Sequence, residues 1–381
     1  MITKFVMPEV IFGSGSISQV GECSLRLGAK KVLIVCDPGI IHEECLEIIL
    51  MSCKEAGMDY VIFDDLTVNP KDFEVEKGKA LYLEHGCDSV IGLGGGSAID
   101  VAKAIALLST NKGTIHDYEG IDRIHAPLPP QIMIPTTAGS GSEVSQFSII
   151  IDSKRKKKMT IVSKSLIPDI AIIDPQTLSS KSPQLTAATG LDVLTHAIEA
   201  YVSVAATPLT DVQATNAIKL VGQYLRPSVA SRSNKEAKTK MAMASLQAGL
   251  AFSNAILGAV HAMSHAVGGR FPFQHGDVNA ILLPHVMEFN LLACPDKFAT
   301  IAEMLGEDRF GKSTIQLALS GIENVRRLSK DIGAPKSLKD MGLHSDHIKE
   351  MSITALEDAC MITNPREISI VDVERLFHQA L

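Results

Sequence analysis

SVIGLGGGSAIDVAKAIALL, running from Ser89 to Leu108, holds a strand, a glycine turn and the start of a helix. The run SVIGLG is almost wholly apolar, as a strand buried on both faces requires. Gly94, Gly95, Gly96 and Ser97 then turn the chain, and AIDVAKAIAL continues with helical spacing. Such a turn exposes backbone amides and the positive end of the helix dipole, an arrangement that suits phosphate. It departs from the usual dinucleotide fingerprint, because Ser97 stands where the third glycine of G-x-G-x-x-G belongs. An acidic ribose reader is expected about 20 residues after the glycines. The best candidate, Asp37, lies well before them, and there is no Walker lysine. Taken alone, the turn is equally a flexible strand–helix connection.

Outward from this unit the pattern repeats. VLIV at Val32–Val35, YVIF at Tyr60–Phe63 and QIMIPT at Gln131–Thr136 read as buried strands, with HEECLEIILMSCKEAG and FEVEKGKALYLEHG as helices between them. Strand, helix, strand at this spacing predicts a largely parallel sheet covered by helices. Two further runs, SIIID ending at Asp152 and IAIID ending at Asp174, flank the basic stretch KRKKK and are expected to form an antiparallel addition. After about Ser182 strand-like runs vanish, and SPQLTAATG supplies turn and capping chemistry. The expected organisation is an α/β domain over residues 1–184 and an all-helical domain over 185–381.

Composition limits the function classes. With 381 residues the chain can bury two cores, and 46% hydrophobic with 21% charged residues is the balance of a globular protein. A net charge of −7 argues against a general partner among nucleic acids or anionic membranes. The seven cysteines form no C-x-x-C pair, so they read as reduced thiols. The start, MITKFVMPEVIFGSG, lacks the apolar core of a signal peptide, and no stretch reads as a bilayer span, so the expectation is a cytoplasmic protein.

Chemistry concentrates in the second half. Asp192 and His196 stand four apart in GLDVLTHAIEAY, which places both on one helix face. The segment AVHAMSHAVGGRFPFQHGDVNA holds His261 and His265, again four apart, and then His275 after a Gly/Pro/aromatic turn. Several imidazoles with one carboxylate suit a divalent ion of borderline softness, Fe²⁺ or Zn²⁺. Each histidine alone is more commonly a satisfied core or surface residue, and Asp192 alone a capping or ion-pair residue. Spacing by itself leaves both readings open.

The α/β half offers further candidates. Asp37 follows VLIVC, where a carboxylate can accept both ribose hydroxyls and repel a 2′-phosphate, or simply cap the DPG turn. PTTAGSGSEVSQF sets Thr136 and Thr137 at a strand end, where hydroxyls and amides can meet phosphate or nicotinamide. KRKKK at Lys154–Lys158 reads first as a solvated hairpin face, of which one lysine can face a cofactor.

Together these residues resemble the iron-containing (group III) alcohol dehydrogenases, over nearly the whole chain. The anchors are GGGSAIDVAKAIA, IHDYEG, PTTAGSGSEVS, TAATGLDVLTHAIEAY, the His261–His275 segment and DACMITNPR. The resemblance is strongest to the branch with methanol, 1,3-propanediol and lactaldehyde-type dehydrogenases. It implies a dehydroquinate synthase-like fold, with an N-terminal dinucleotide-binding domain, a helical domain and an active site in the cleft between them. It implies metal ligands at Asp192, His196, His261 and His275, and a proton-relay role for His265. Cofactor positions carried over are Asp37, Asn69, Gly95, Gly96, Ser97, Thr136, Thr137, Ser145, Phe147 and Lys158. The acid at position 37 favours NAD over NADP.

The expected activity is hydride transfer between NAD and a short primary alcohol or diol, with Fe²⁺ or alternatively Zn²⁺, in a homodimer or larger homo-oligomer. The alternatives are a polyol (glycerol-type) dehydrogenase and a non-catalytic nucleotide- or metal-binding protein. Two departures from the family pattern stand out. Ser140 replaces a common threonine but keeps a hydroxyl. Arg270 lies in a stretch usually apolar or neutral, either selecting a polar or anionic substrate or facing solvent. Phe147 and Phe252 are expected to narrow the pocket toward short chains.

Overall fold

A strand of a parallel sheet covered on both faces needs apolar side chains pointing both ways, and the runs of the first half meet that need. The computed structural model describes residues 4–381. Its strands are β1 (Glu9–Phe12), β2 (Lys31–Cys36), β3 (Asp59–Phe63), β4 (Ser89–Gly94), β5 (Gly120–Ile121), β6 (Gln131–Pro135), β7 (Phe147–Asp152), β8 (Lys157–Val162) and β9 (Ile170–Ile173). Six of them form a sheet in the order β1-β9-β6-β4-β2-β3, with every pairing parallel.

Four helices connect them: α1 (Val20–Arg26), α2 (Glu44–Glu55), α3 (Asp72–Glu84) and α4 (Gly96–Thr110). Alternate residues of β2 sort into two cores. Val32 and Ile34 pack with Val20 of α1 and Ile49 of α2. Leu33 and Val35 pack with Val75 of α3 and Ile105 of α4. The chain leaves β2 toward β3 at one edge and then returns to β4 on the other side of β2. The carboxyl ends of β2 and β4 therefore flank a topological switch point, where connecting loops diverge and leave a crevice.

The antiparallel addition differs from the expectation. SIIID lies in β7, but its antiparallel partner is β8, the strand KKMTIV, which joins β5 in a second sheet of three strands. IAII, as β9, pairs parallel with β6 and β1 instead. Its four residues are all buried, which fits a two-faced sheet better than a hairpin with one wet side.

Residues 6–179 form one compact unit and 180–381 a second, to which Lys4 and Phe5 also belong. The second unit contains α5 (Pro183–Val202), α6 (Pro208–Ala230), α7 (Lys235–Ala255), α8 (Ala259–Gly268), α9 (His275–Asn290), α10 (Pro295–Met304), α11 (Thr314–Asp331), α12 (Ile348–Leu356) and α13 (Ile370–Ala380). The cap chemistry is local. Ser182 accepts from the Leu185 amide ahead of Pro183, and Thr207 and Asn234 do the same at the starts of α6 and α7. All ten residues of α8 are buried, so it is a core helix rather than an amphipathic one. No single helix among the described residues is long and apolar enough to cross a membrane. Taken together α7 and α8 would be, but a 100° bend separates them.

Candidate functional site

Because β2, β4 and β6 are neighbours in the sheet, their carboxyl ends bring Asp37, the glycine turn and Thr136 together. The Gly95 amide donates to Asp37 Oδ2 at 2.8 Å, and the Thr136 amide to the Gly94 carbonyl at 2.8 Å. Gly94 has φ 156°, and a Cβ there would sit 2.5 Å from Asp37 Oδ2 and 2.7 Å from Ala98 Cβ. A Cβ on Gly96 would press on Ser140 at 2.8 Å. The glycines are thus required by close packing of three loops, beyond any freedom to turn. Gly95 is the N-cap of α4 and has no side chain to satisfy the helix's first amides, those of Gly96 and Ser97 among them. Thr137 lies against Gly95, and Asn69, beyond β3, holds a left-handed φ of 60° before Pro70.

The loop from Thr136 to Phe147 is pinned from beneath. Lys103, fully buried on α4, donates to the Ser145 carbonyl at 2.6 Å and the Phe147 carbonyl at 3.0 Å. Burial pulls its ammonium below the ordinary lysine range, against the pull of Asp100 and Glu143. Burial pushes Glu143 up to about 7, despite its own backbone amide and Lys103. Of the basic run, Lys154, Arg155 and Lys156 are exposed, whereas Lys158 is buried in β8 opposite Ile151.

In the helical unit, α5 carries Asp192 and His196, α8 carries His261 and His265, and His275 is the first residue of α9. Asp192, His261 and His275 bring their ligand atoms within 4.8 Å of one another. Asp192 Oδ1 lies 3.6 Å from His261 Nε2 and 3.9 Å from His275 Nε2. His196 stands beside this group, its Nδ1 3.8 Å from the same carboxylate oxygen. Its ring is stacked between those of His261, at 4.4 Å, and Phe252, at 4.5 Å. Phe252 therefore backs a histidine of the cluster. Burial opposes ionisation of Asp192, but His196, His261 and His275 outweigh it and hold the carboxyl far below its ordinary range.

The donor set fits a divalent ion on an observation of its own. Asn279 Nδ2 stands 2.7 Å from Asp192 Oδ1, 3.3 Å from His261 Nε2 and 3.2 Å from His275 Nε2. One amide nitrogen has two protons to share among these three atoms, of which the carboxylate oxygen is a fixed acceptor. The outer ring nitrogens are already engaged, His261 Nδ1 by Glu199 at 2.5 Å and His275 Nδ1 by Ser264 at 3.0 Å. Two imidazole nitrogens and a carboxylate oxygen facing one point are the chemistry of a cation site.

His265 lies next to this cluster, its ring stacked on that of His275 at 5.5 Å and its Nδ1 2.9 Å from Asp358 Oδ2. Arg270 is ion-paired with Glu350 at 2.7 Å, so its charge is engaged within the helical unit. A further acid–histidine group joins Asp72, His116 and Asp152 in the α/β unit. There Arg155 already pairs with Asp152, placing a resident cation where an ion would compete.

Four polar residues escaped the sequence reading: Lys103, Glu199 and Asn279, which are buried, and Asp358, which is partly buried. Spacing held a signal for two of them. Glu199 follows His196 by three residues and Asn279 follows His275 by four, each on the same helix face. Asp358 opens DACMITNPR, which stood out only as a family anchor.

Comparison with known proteins agrees across both units. A family profile described as iron-containing alcohol dehydrogenase matches residues 8–175. A second, the C-terminal part of the Fe-containing alcohol dehydrogenase family, matches 186–381. The chain is 43% identical to a 1,3-propanediol dehydrogenase of Citrobacter freundii over 379 residues, covering 99% of this chain and 98% of that one. It is 40% identical to an NAD-dependent methanol dehydrogenase of Bacillus methanolicus, covering 100% of both. A crystal structure of a 1,3-propanediol oxidoreductase superposes with a TM-score of 0.98 at 42% identity, covering 100% of both chains.

Proposed function

The chain belongs to the iron-containing alcohol dehydrogenase family, and from that premise we propose that it is a metal-dependent, NAD-linked oxidoreductase of short primary alcohols or diols and their aldehydes. The observation that carries this reading is the convergence of Asp192 Oδ1, His261 Nε2 and His275 Nε2 on one point. With His196 beside them, these residues would hold a divalent ion, Fe²⁺ by the family's chemistry and Zn²⁺ as the competing occupant. When bound, the ion supplies Lewis acidity toward the alcohol oxygen, and NAD supplies the hydride acceptor.

The remaining work falls to the chain's own groups. The first amides of α4, at Gly96 and Ser97, cradle the pyrophosphate at a helix N-terminus. Asp37 takes the ribose hydroxyls and repels a 2′-phosphate, which sets the preference for NAD. Thr136, Thr137, Ser145, Phe147 and Lys158 hold the nicotinamide half, and Asn69 the adenosine side. His265 Nε2 accepts the alcohol proton, because Asp358 faces its Nδ1. None of the seven cysteines forms a disulfide, which fits a cytoplasmic enzyme, and the family's habit favours a homodimer or larger assembly.

The test is anaerobic turnover by metal-stripped protein reloaded separately with Fe²⁺ and Zn²⁺. It is assayed with NAD or NADP against methanol, 1,3-propanediol, related short alcohols and their aldehydes. NAD-linked turnover that returns only with metal is expected. No turnover in any pairing, despite measurable NAD binding, overturns the reading.

A further inference from the structure

Helix α8 carries two of the four histidines of the candidate site, and its N-terminus is held by side chains from distant parts of the helical unit. The Ala259 amide donates to Asn364 Oδ1 at 3.3 Å, the Val260 amide to Glu199 Oε1 at 2.7 Å and the His261 amide to Glu199 Oε2 at 3.3 Å. These are the first three amides of the helix, the groups that no intrahelical carbonyl can satisfy. Gly258 makes room for the clamp, since a Cβ there would meet Glu199 Oε1 at 2.9 Å. Just before it, Thr363 Oγ1 donates to the Leu257 carbonyl at 2.5 Å. Ile256, at the bend between α7 and α8, holds φ 61°, a costly angle for a β-branched residue. A corner strained in this way persists only where its surroundings over-determine it.

The clamp also reaches the rings. Glu199 Oε2, besides holding the helix end, faces His261 Nδ1 at 2.5 Å. Asp358 Oδ2 faces His265 Nδ1 at 2.9 Å, and Asp358 is itself steadied by the Cys360 amide on Oδ1 at 2.8 Å. A carboxylate can only accept, so each ring places a proton on Nδ1, and in the neutral ring Nε2 is then the lone pair. For His261 that lone pair is the atom facing Asp192 and Asn279.

We propose that Glu199 and Asp358 are positioning residues with separate outputs: Glu199 fixes His261 for metal affinity, and Asp358 fixes His265 for the proton-transfer step. The segment Asp358–Arg366, with Asn364 and Thr363 on the start of α8, is the brace that keeps both rings in register. This rests on the reading of His261 as a ligand and His265 as a relay.

The experiment compares Glu199→Gln, Asp358→Asn and His261→Ala. It measures metal affinity by chelator competition, the visible spectrum of the Co²⁺-loaded protein, NAD binding, and kcat and KM separately. Glu199→Gln keeps an oxygen for the helix amides but offers His261 an N–H. It is expected to lose 10- to 100-fold in metal affinity, the usual effect of removing an outer partner, to shift the Co²⁺ spectrum and to leave NAD binding unchanged. Asp358→Asn is expected to keep parental metal affinity and spectrum while kcat falls about 100-fold with little change in KM. Should Glu199→Gln fail to fold, Glu199→Asp, which withdraws the carboxylate by one methylene, carries the same expectation. His261→Ala with parental metal affinity would overturn the ligand reading and this inference together. Loss of metal in His261→Ala but not in Glu199→Gln overturns the inference alone. Loss of metal in Asp358→Asn, or parental kcat, overturns the division between the two carboxylates.

Discussion

The nucleotide end of the α/β unit and the acid–histidine cluster of the helical unit solve the same problem, gathering polar groups in a dry place, by opposite means. At the nucleotide end the working groups are largely backbone: amides at the start of α4, with Gly94 and Gly96 small enough to let three loops close on one another. The charges there are balanced internally, with buried Lys103 set among carbonyls and near Asp100 and Glu143. At the cluster the working groups are side chains, and three atoms share one amide of Asn279. In the first region the charges are matched within the fold, and only backbone amides at the start of α4 lack a side-chain cap. The second leaves side chains short of partners that a cation would supply. Substitutions should therefore separate a region whose charges serve the fold from one whose charges serve a ligand.

The largest effect is expected at Asp192. Asp192→Asn should abolish stoichiometric metal binding, read by elemental analysis, and lower kcat/KM by at least about 1,000-fold, as loss of a Lewis-acid site does. NAD binding should survive. A variant that kept both metal and turnover would break the comparison at its root. Next comes Lys103→Met, which leaves Glu143 and two carbonyls without their cation. Removing one member of a buried charge cluster costs about 3–5 kcal/mol, so denaturant unfolding should show a clear loss and NAD binding should weaken. Metal affinity of the folded variant should stay parental.

A smaller, pH-dependent effect is expected at Glu143. Its carboxyl is raised from 4.5 to about 7 by burial, so between those values the folded chain holds a proton that the unfolded chain has released. Stability from this group is present below pH 4.5 and is lost as pH rises through 7. Glu143→Gln removes that loss. The Tm difference in its favour should grow from pH 5 to pH 8, corresponding to about 3 kcal/mol at most. A difference that is flat or shrinks with pH would show the carboxylate charged and needed by Lys103. The smallest effect is expected at Arg270→Gln. Its partner Glu350 is well exposed, so stability should change by less than about 1 kcal/mol and the substrate profile by less than twofold.

The same contrast explains what was legible in the sequence. Strands were readable because a sheet with two covered faces demands unbroken apolar runs, and SVIGLG is matched residue for residue by β4. The hairpin partner of SIIID was not, because KKMTIV begins inside a basic run that looks solvated, while Lys158 turns inward. The four-residue spacings of Asp192–His196 and His261–His265 announced shared helix faces, but nothing local announces that α5, α8 and α9 meet. That convergence came from the resemblance. Lys103 was hidden for another reason: in DVAKAIAL a lysine reads as a surface residue, and only the fold shows it pointing at two carbonyls.

Asp37 illustrates how a fold constrains its own history. Besides the ribose contact proposed for it, its carboxylate anchors the Gly95 amide of the turn through Oδ2. A lineage drifting toward the phosphorylated cofactor would have to give up this acid, and with it a strut of the glycine turn. The exchange is open only to descendants that first, or simultaneously, supply another acceptor for that amide. Under the proposed ribose contact, cofactor preference and the glycine turn are a linked pair of traits, and a single substitution at position 37 would move both.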